Sequence, residues 1–144
     1  MNINYFGPLI LSQLFLGKLN TSYDKIINFC FLDRSLTEKG FFGYQTTKDS
    51  LSRLTKSFSI KLGFRIRVDA LDQAVIKKEM LKQELEDSFK IDKLLSFYPK
   101  FWIGELQGIN QVFLFLKVPP NKFSNGSIIK VSEGIQNYLN DSDL

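Results

Sequence analysis

The sequence predicts an α+β fold: a single domain over residues 1–144 whose mostly antiparallel five-stranded sheet packs with a long central helix and with N- and C-terminal helices. Three observations carry this expectation. From Ser57 to Asp69, the residues Phe58, Ile60, Leu62, Phe64, Ile66 and Val68 alternate with Ser59, Lys61, Gly63, Arg65 and Arg67. A period of two matches an extended strand with one buried and one wet face. Directly afterwards Leu71, Ala74, Val75, Leu81, Leu85 and Phe89 share one helical stripe, opposite Glu79, Gln83 and Asp87. Finally, 144 residues with 44% hydrophobic content suffice for one core, and no repeat or low-complexity linker divides the chain.

Taken in order, Pro8 opens a short helix carrying Leu9, Ile10, Leu11, Leu14, Phe15, Leu16 and Leu19. The run from Ile26 to Leu32 is β-rich and bounded by Asp24 and Asp33, and the stretch from Gly40 to Thr46 reads as its antiparallel neighbour. Residues Lys48 to Lys56 suit a helical turn, capped by Thr47 or Asp49, with Leu51 and Leu54 inward. The alternating strand follows, then the long helix, capped by Asp69 or Asp72 and running to about residue 90. Ile91 to Tyr98 adds a turn or short helix, and Pro99 stops it, leaving Phe101–Ile103 to start a strand. Gly104 and Gly108 bracket a turn. The nearly all-apolar run from Val112 to Val118 reads as a strand covered on both faces, ended by Pro119 and Pro120. Asn125-Gly126 marks a loop, and Ile128, Val131, Ile135 and Tyr138 are spaced as a final helix.

Composition narrows the function classes. The single cysteine, Cys30, cannot form an internal disulfide, and with no histidine the commonest zinc and haem ligand and the commonest general base are missing. Hydrolases built on a His-dependent triad are thereby excluded, and a cytoplasmic or other reducing compartment is the expected home. Cys30 lies in an apolar strand with no adjacent cation, so it reads as a small, inert hydrophobe. The apolar run Leu9–Leu16 is far shorter than the roughly 20 residues that a membrane span needs, and it lacks the basic flank of a secretory signal. Charge is uneven: residues 1–68 hold 10 Lys/Arg against 4 Asp/Glu, and residues 69–144 hold 9 against 11.

The polar side of the alternating strand presents Lys61, Arg65 and Arg67, with Arg53 and Lys56 just upstream. Same-face positions roughly 7 Å apart approach the phosphate step of a nucleic-acid strand, so these five residues form a candidate nucleic-acid surface. A solvated sheet face accounts for the same charges, and Phe58 and Phe64 would point away from any base they should stack on. Asp24, Asp33, Glu38 and Asp49 are the carboxylates from which a metal-dependent nuclease would have to be built, without a D…ExK or DxD pattern. Gly40-Phe-Phe-Gly43 and Gly104-Glu-Leu-Gln-Gly108 match neither GxGxxG nor GxxxxGK[ST] and read as turns. Trp102, Phe101 and Tyr98 make an aromatic cluster suited to a core or a protein interface.

The Leu/Phe helix Leu9-Ile-Leu-Ser-Gln-Leu-Phe-Leu16, with Gln111-Val-Phe-Leu-Phe-Leu-Lys-Val-Pro119 before a last amphipathic element, resembles the small class I chaperones of type III secretion systems. The resemblance covers most of the chain. It implies a homodimer without cofactor that holds an extended region of a secreted protein on apolar patches and sheet edges. The chain departs from that family in being basic, and Lys77, Lys78 and Lys82 fall on the helix in the place of the family's dimer helix. The expectation drawn from the sequence is thus a non-enzymatic, chaperone- or adaptor-like module. Its partner would be another protein chain met through Leu14, Phe15, Phe101 and Trp102, with no cofactor and no metal. The alternative is nucleic-acid binding through Arg53, Lys56, Lys61, Arg65 and Arg67.

Overall fold

Pro8 does open a helix. Its ring is tolerated in the first turn, where the missing N–H has no intrahelical partner, and α1 runs Gly7–Phe15. A wide helical turn over Asn2–Phe6 feeds directly into it, closed by a hydrogen bond from the Gly7 N–H to the Asn2 carbonyl. The computed structural model of the chain describes residues 1–19, 24–31, 42–76, 92, 95, 96, 98, 101–118, 124–132 and 134. Within them the elements continue as β1 (Lys25–Phe31), α2 (Phe42–Leu62), β2 (Arg67–Gln73), α3 (Leu106–Lys117) and β3 (Ile128–Val131).

The three strands stand in the order β1-β2-β3, and both pairings are parallel: Lys25 is opposite Arg67 and Phe31 opposite Gln73, while Ala70 is opposite Ile128 and Gln73 opposite Val131. Parallel neighbours need a crossover connection, and α2 and α3 lie in the two crossovers. The expected antiparallel five-stranded sheet is therefore corrected to a parallel βαβαβ arrangement. One face of the sheet buries Cys30, Val68 and Ala70 against Leu51, Leu54, Phe58 and Leu62 of α2, with Leu9 and Leu16 alongside. The other buries Leu71 and Ile76 against Ile109 and Leu116 of α3, with Ile27, Phe113, Ile129 and Val131.

Six element assignments change with the topology. Gly40–Thr46 and Ser57–Leu62, both expected as strands, are described from Phe42 onward as the two ends of α2. Its buried positions Leu51, Leu54, Thr55, Phe58 and Leu62 repeat at helical spacing, whereas Ile60 is 85% and Phe64 81% exposed, so the period-two run was a coincidence of composition. The helix is rich in Ser and Thr, which disfavour helices when their hydroxyls compete for the backbone. Here the hydroxyls of Thr46, Ser50, Ser52 and Thr55 bond back to the carbonyls four residues earlier. Leu71, Ala74 and Val75, expected at the start of the long helix, lie on β2 and the extended chain after it, and the rest of that expected helix, residues 77–89, falls outside the described residues.

Val112–Lys117 belongs to α3, whose Ile109, Val112, Phe113 and Leu116 form a sheet-facing stripe while Leu114 and Phe115 stay exposed. Phe101–Ile103 forms no strand; a single parallel bridge joins Ile76 to Gly104. Ile128–Val131 is β3 and not a helix. The loop at Asn125-Gly126 is as expected: Gly126 adopts φ 77°, the left-handed region open to glycine. There the Asn125 side chain accepts from the Val68 N–H and donates to the Ser59 carbonyl.

Among the described strands β1 is an edge. The Arg67 N–H bonds the Asp24 carbonyl, so even-numbered residues of β1 address β2 while Lys25, Ile27, Phe29 and Phe31 turn their backbone groups outward. An open cleft of about 530 Å³ runs along this edge, lined by Asn4, Leu11 and Phe15 on one side and by Ile27, Phe29 and Lys48 on the other. No described helix is long and apolar enough to cross a membrane.

Candidate active site

In an open parallel sheet, ligands gather outside the carboxyl ends of the strands, where the chain leaves each strand for its helix. At that end of β1 the first turns of α2 present Tyr44 and Lys48, four residues apart and hence on one helical face. The Lys48 ammonium donates to the Phe29 carbonyl at 2.8 Å. It also lies 5.8 Å from the centre of the Tyr44 ring, within cation–π range. The Phe31 ring meets Tyr44 edge to face, with centroids 5.5 Å apart at 69°. Phe29 stacks on Phe113 of α3 at 5.8 Å. Partial burial pushes the Tyr44 phenol above its ordinary value of 10.0, so at neutral pH the group is protonated and can donate. Asn4 lines the same cleft as Lys48.

Behind this turn, on the α2 side of the sheet, Cys30, Asp72 and Lys130 form a row across the three strands. Burial pushes the Cys30 thiol up, opposed by a hydrogen bond with Ser52, and the nearby Asp72 carboxylate raises it further. The Asp72 carboxyl is pushed up to about 6, first by burial and then by Asp49, with Lys130 acting the other way. At the opposite end of the strands a second charged group is structural. The Lys25 ammonium reaches Asp69 at 3.3 Å and the Leu116 carbonyl at 2.7 Å, and Asp69 also accepts from the Ser124 hydroxyl and the Ser127 N–H, each at 2.9 Å. This network fixes the end of α3 and the 124–127 loop to β2.

The residues singled out from sequence are scattered. Leu14 is 70% exposed on α1 beside the exposed Phe15, and the exposed Phe101 and Trp102 lie in a different region, where Trp102 lines a small cavity with Tyr98 and Val75. Arg53, Lys56 and Lys61 are exposed on α2, Arg65 follows it, and Arg67 is buried in β2. The strand face that was to present Lys61, Arg65 and Arg67 does not form: Lys61 lies on α2 and Arg67 on β2. Of the four carboxylates weighed for a nuclease, Asp33 and Glu38 fall outside the described residues, while Asp24 and Asp49 sit towards opposite ends of β1; no group of three metal-ligating side chains occurs among the described residues. Tyr44 and Lys48 escape a reading that assigns Gly40–Thr46 to a strand, because it puts them on separate elements. A phenol and an ammonium at i, i+4 just after a β-rich run was the available signal.

With the geometry in place, the comparisons with known proteins are consistent with one another. A family model described as Enoyl-(Acyl carrier protein) reductase matches residues 1–136. The chain is 28% identical over 110 residues to "Carbonyl reductase [NADPH] 2" of Sus scrofa, a match covering 76% of this chain and 45% of that protein. A short-chain dehydrogenase/reductase of Brucella melitensis, with glucose/ribitol dehydrogenase in its description, superposes with a TM-score of 0.81 at 25% identity, over 92% of this chain and 53% of the other. A gluconate 5-dehydrogenase of Burkholderia cenocepacia J2315 gives 0.85 at 22% identity, over 95% and 55%. The chain thus spans about half the length of these relatives. The likeness to type III secretion chaperones is overturned by these matches, because that resemblance rested on an element order that the parallel sheet does not have. The expectations of a non-enzymatic protein-binding module and of a nucleic-acid-binding protein fall with it, since the matched family is one of reductases. Matched over residues 1–136, the chain belongs to the enoyl-(acyl carrier protein) reductase family of short-chain dehydrogenases/reductases.

Proposed function

We propose that this chain carries the proton-donating half of a nicotinamide-dependent reductase site, acting on a carbonyl or conjugated carbonyl compound. The observation that carries the reading is the Tyr44–Lys48 pair at the carboxyl end of a parallel strand. Reduction of such a compound leaves negative charge on its oxygen, and that oxygen needs a proton. Tyr44 holds an O–H that is protonated at neutral pH, and burial pushes its titration further up. Lys48 is anchored by the Phe29 carbonyl with its charge facing the ring, so it stabilises the phenolate that forms as the proton leaves.

The fold family implies a nicotinamide dinucleotide, which supplies hydride when bound. Its diphosphate normally rests on a glycine-rich turn between a strand and a helix. No GxGxxG occurs in these 144 residues, and β1 is followed on its outer edge by the open cleft with no such turn among the described residues. The described residues therefore hold no turn that fits the diphosphate, and what they contribute to the site is proton donation and its electrostatic support. In the native protein, Tyr44→Phe should lower reductase turnover by roughly 10²- to 10⁴-fold with little change in the unfolding midpoint, followed through oxidation of the reduced nicotinamide. Undiminished turnover in Tyr44→Phe would refute the assignment.

A further inference from the structure

Two aromatic pairs stand at the carboxyl end of β1, and both start from its outward-numbered residues: Phe29 on Phe113, and Phe31 on Tyr44. A phenylalanine beside the acid is chemically specific. It offers no hydrogen bond, and its edge-on approach at 5.5 Å and 69° fixes the plane of the phenol ring. Tyr44 lies near the start of α2 and is 39% exposed, and among the described residues its ring meets Lys48 and the edge-on Phe31. Phe31, half-buried on the strand, restrains the ring and removes water from one flank of it.

We propose that Phe31 is a positioning and specificity residue of this site: it holds the Tyr44 phenol in a single orientation and offers an apolar wall that favours aryl and alkyl carbonyl compounds over polyhydroxylated ones. The proposal rests on the reading of Tyr44 as proton donor. Sites that select a polyol do so by hydrogen-bonding its hydroxyls, and unmatched hydroxyls against a phenyl ring are rejected because they lose water without replacement. An aryl ketone set against Phe31 loses only poorly hydrated surface and brings its oxygen towards the phenol.

The test uses the full chain labelled with ¹³C at tyrosine Cζ, the Tyr44 resonance being the one lost in Tyr44→Phe. In Phe31→Ala the phenol becomes more hydrated, so its titration midpoint should shift down towards that of a free tyrosine; Phe31→Leu, which keeps apolar bulk but no ring edge, guards against a folding defect and should restore part of the elevation. Acetophenone should move the Tyr44 resonance of the native chain, dihydroxyacetone should leave it in place, and the acetophenone response should be lost in Phe31→Ala. An unchanged Tyr44 titration in both variants, or an equal response to the two ketones, would overturn the proposal. Failure of the proton-donor reading shows separately, as full turnover in Tyr44→Phe.

Discussion

Replacing Asp72 by asparagine should make the protein more stable at neutral pH and remove part of its pH dependence. Asp72 is 4% exposed on the central strand. It faces Cys30 across β1, Lys130 across β3 and Asp49 on α2. Its carboxyl is pushed up to about 6 from an ordinary 3.8, a difference of about two pH units. At about 1.36 kcal/mol per unit, the folded state disfavours the ionised carboxylate by about 3 kcal/mol. The folded chain binds this proton more tightly than the unfolded chain, so between about pH 4 and about pH 6 it carries the greater share of it. Stability from this group is greatest below that window and is lost as pH rises through it. Asparagine keeps the shape and cannot ionise, so its advantage should reach up to about 3 kcal/mol above about pH 7 and vanish near about pH 4. Urea unfolding of native protein and Asp72→Asn at both pH values measures this directly, and the difference between them isolates Asp72 from other titrations. A variant no more stable than the native protein at neutral pH, or an advantage independent of pH, would show that Lys130 neutralises the carboxylate more fully than burial opposes it.

Other perturbations test the scaffold. Lys25→Met leaves the fully buried Asp69 with only the Ser124 hydroxyl and Ser127 N–H, and should cost about 3–5 kcal/mol in the urea midpoint, with partial recovery when Asp69→Asn is added. Thr55→Val strands the buried Asn28 amide, which now donates to Thr55 Oγ1 at 2.9 Å; a loss of about 1–3 kcal/mol is expected by the same assay. Gly126→Ala places a Cβ 2.5 Å from Ser59 Oγ at φ 77°, so a loss above about 1 kcal/mol should appear as a lowered thermal midpoint. Lys48→Met, by contrast, removes an exposed hydrogen bond and should change stability by less than about 1 kcal/mol while depressing turnover.

The legible parts of the chain were those where local rules and tertiary environment agree. Pro8 marked the start of α1, the apolar run at Ile26 marked β1, Asn125-Gly126 marked a loop, and Leu51 and Leu54 were rightly read as inward-facing. The central strand β2 was hidden because such a strand normally reads as an apolar run, whereas Arg67-Val-Asp-Ala-Leu-Asp-Gln73 carries three charges that only tertiary partners make tolerable. In α2 the Ser/Thr content masked the helix, since the back-bonding that absorbs those hydroxyls exists only once the helix has formed. The leucine- and phenylalanine-rich α3 looked like a strand for the opposite reason: its outward face is apolar too, blurring the helical stripe. The candidate site suffered from the α2 error, because Tyr44 and Lys48 meet only when both lie on one helix.

Among the described strands, the outward edge of β1 is where a further strand could pair. A row of outward backbone groups between apolar side chains is a template on which foreign strands nucleate, the first event of β-aggregation. Lys48 occupies the Phe29 carbonyl in that row, so an incoming strand must break a charge-assisted bond and leave an ammonium against its own backbone. Lys48 thereby covers one acceptor of the outward row. Acetylating it or replacing it should shorten the lag before aggregation even where the folded chain is barely destabilised.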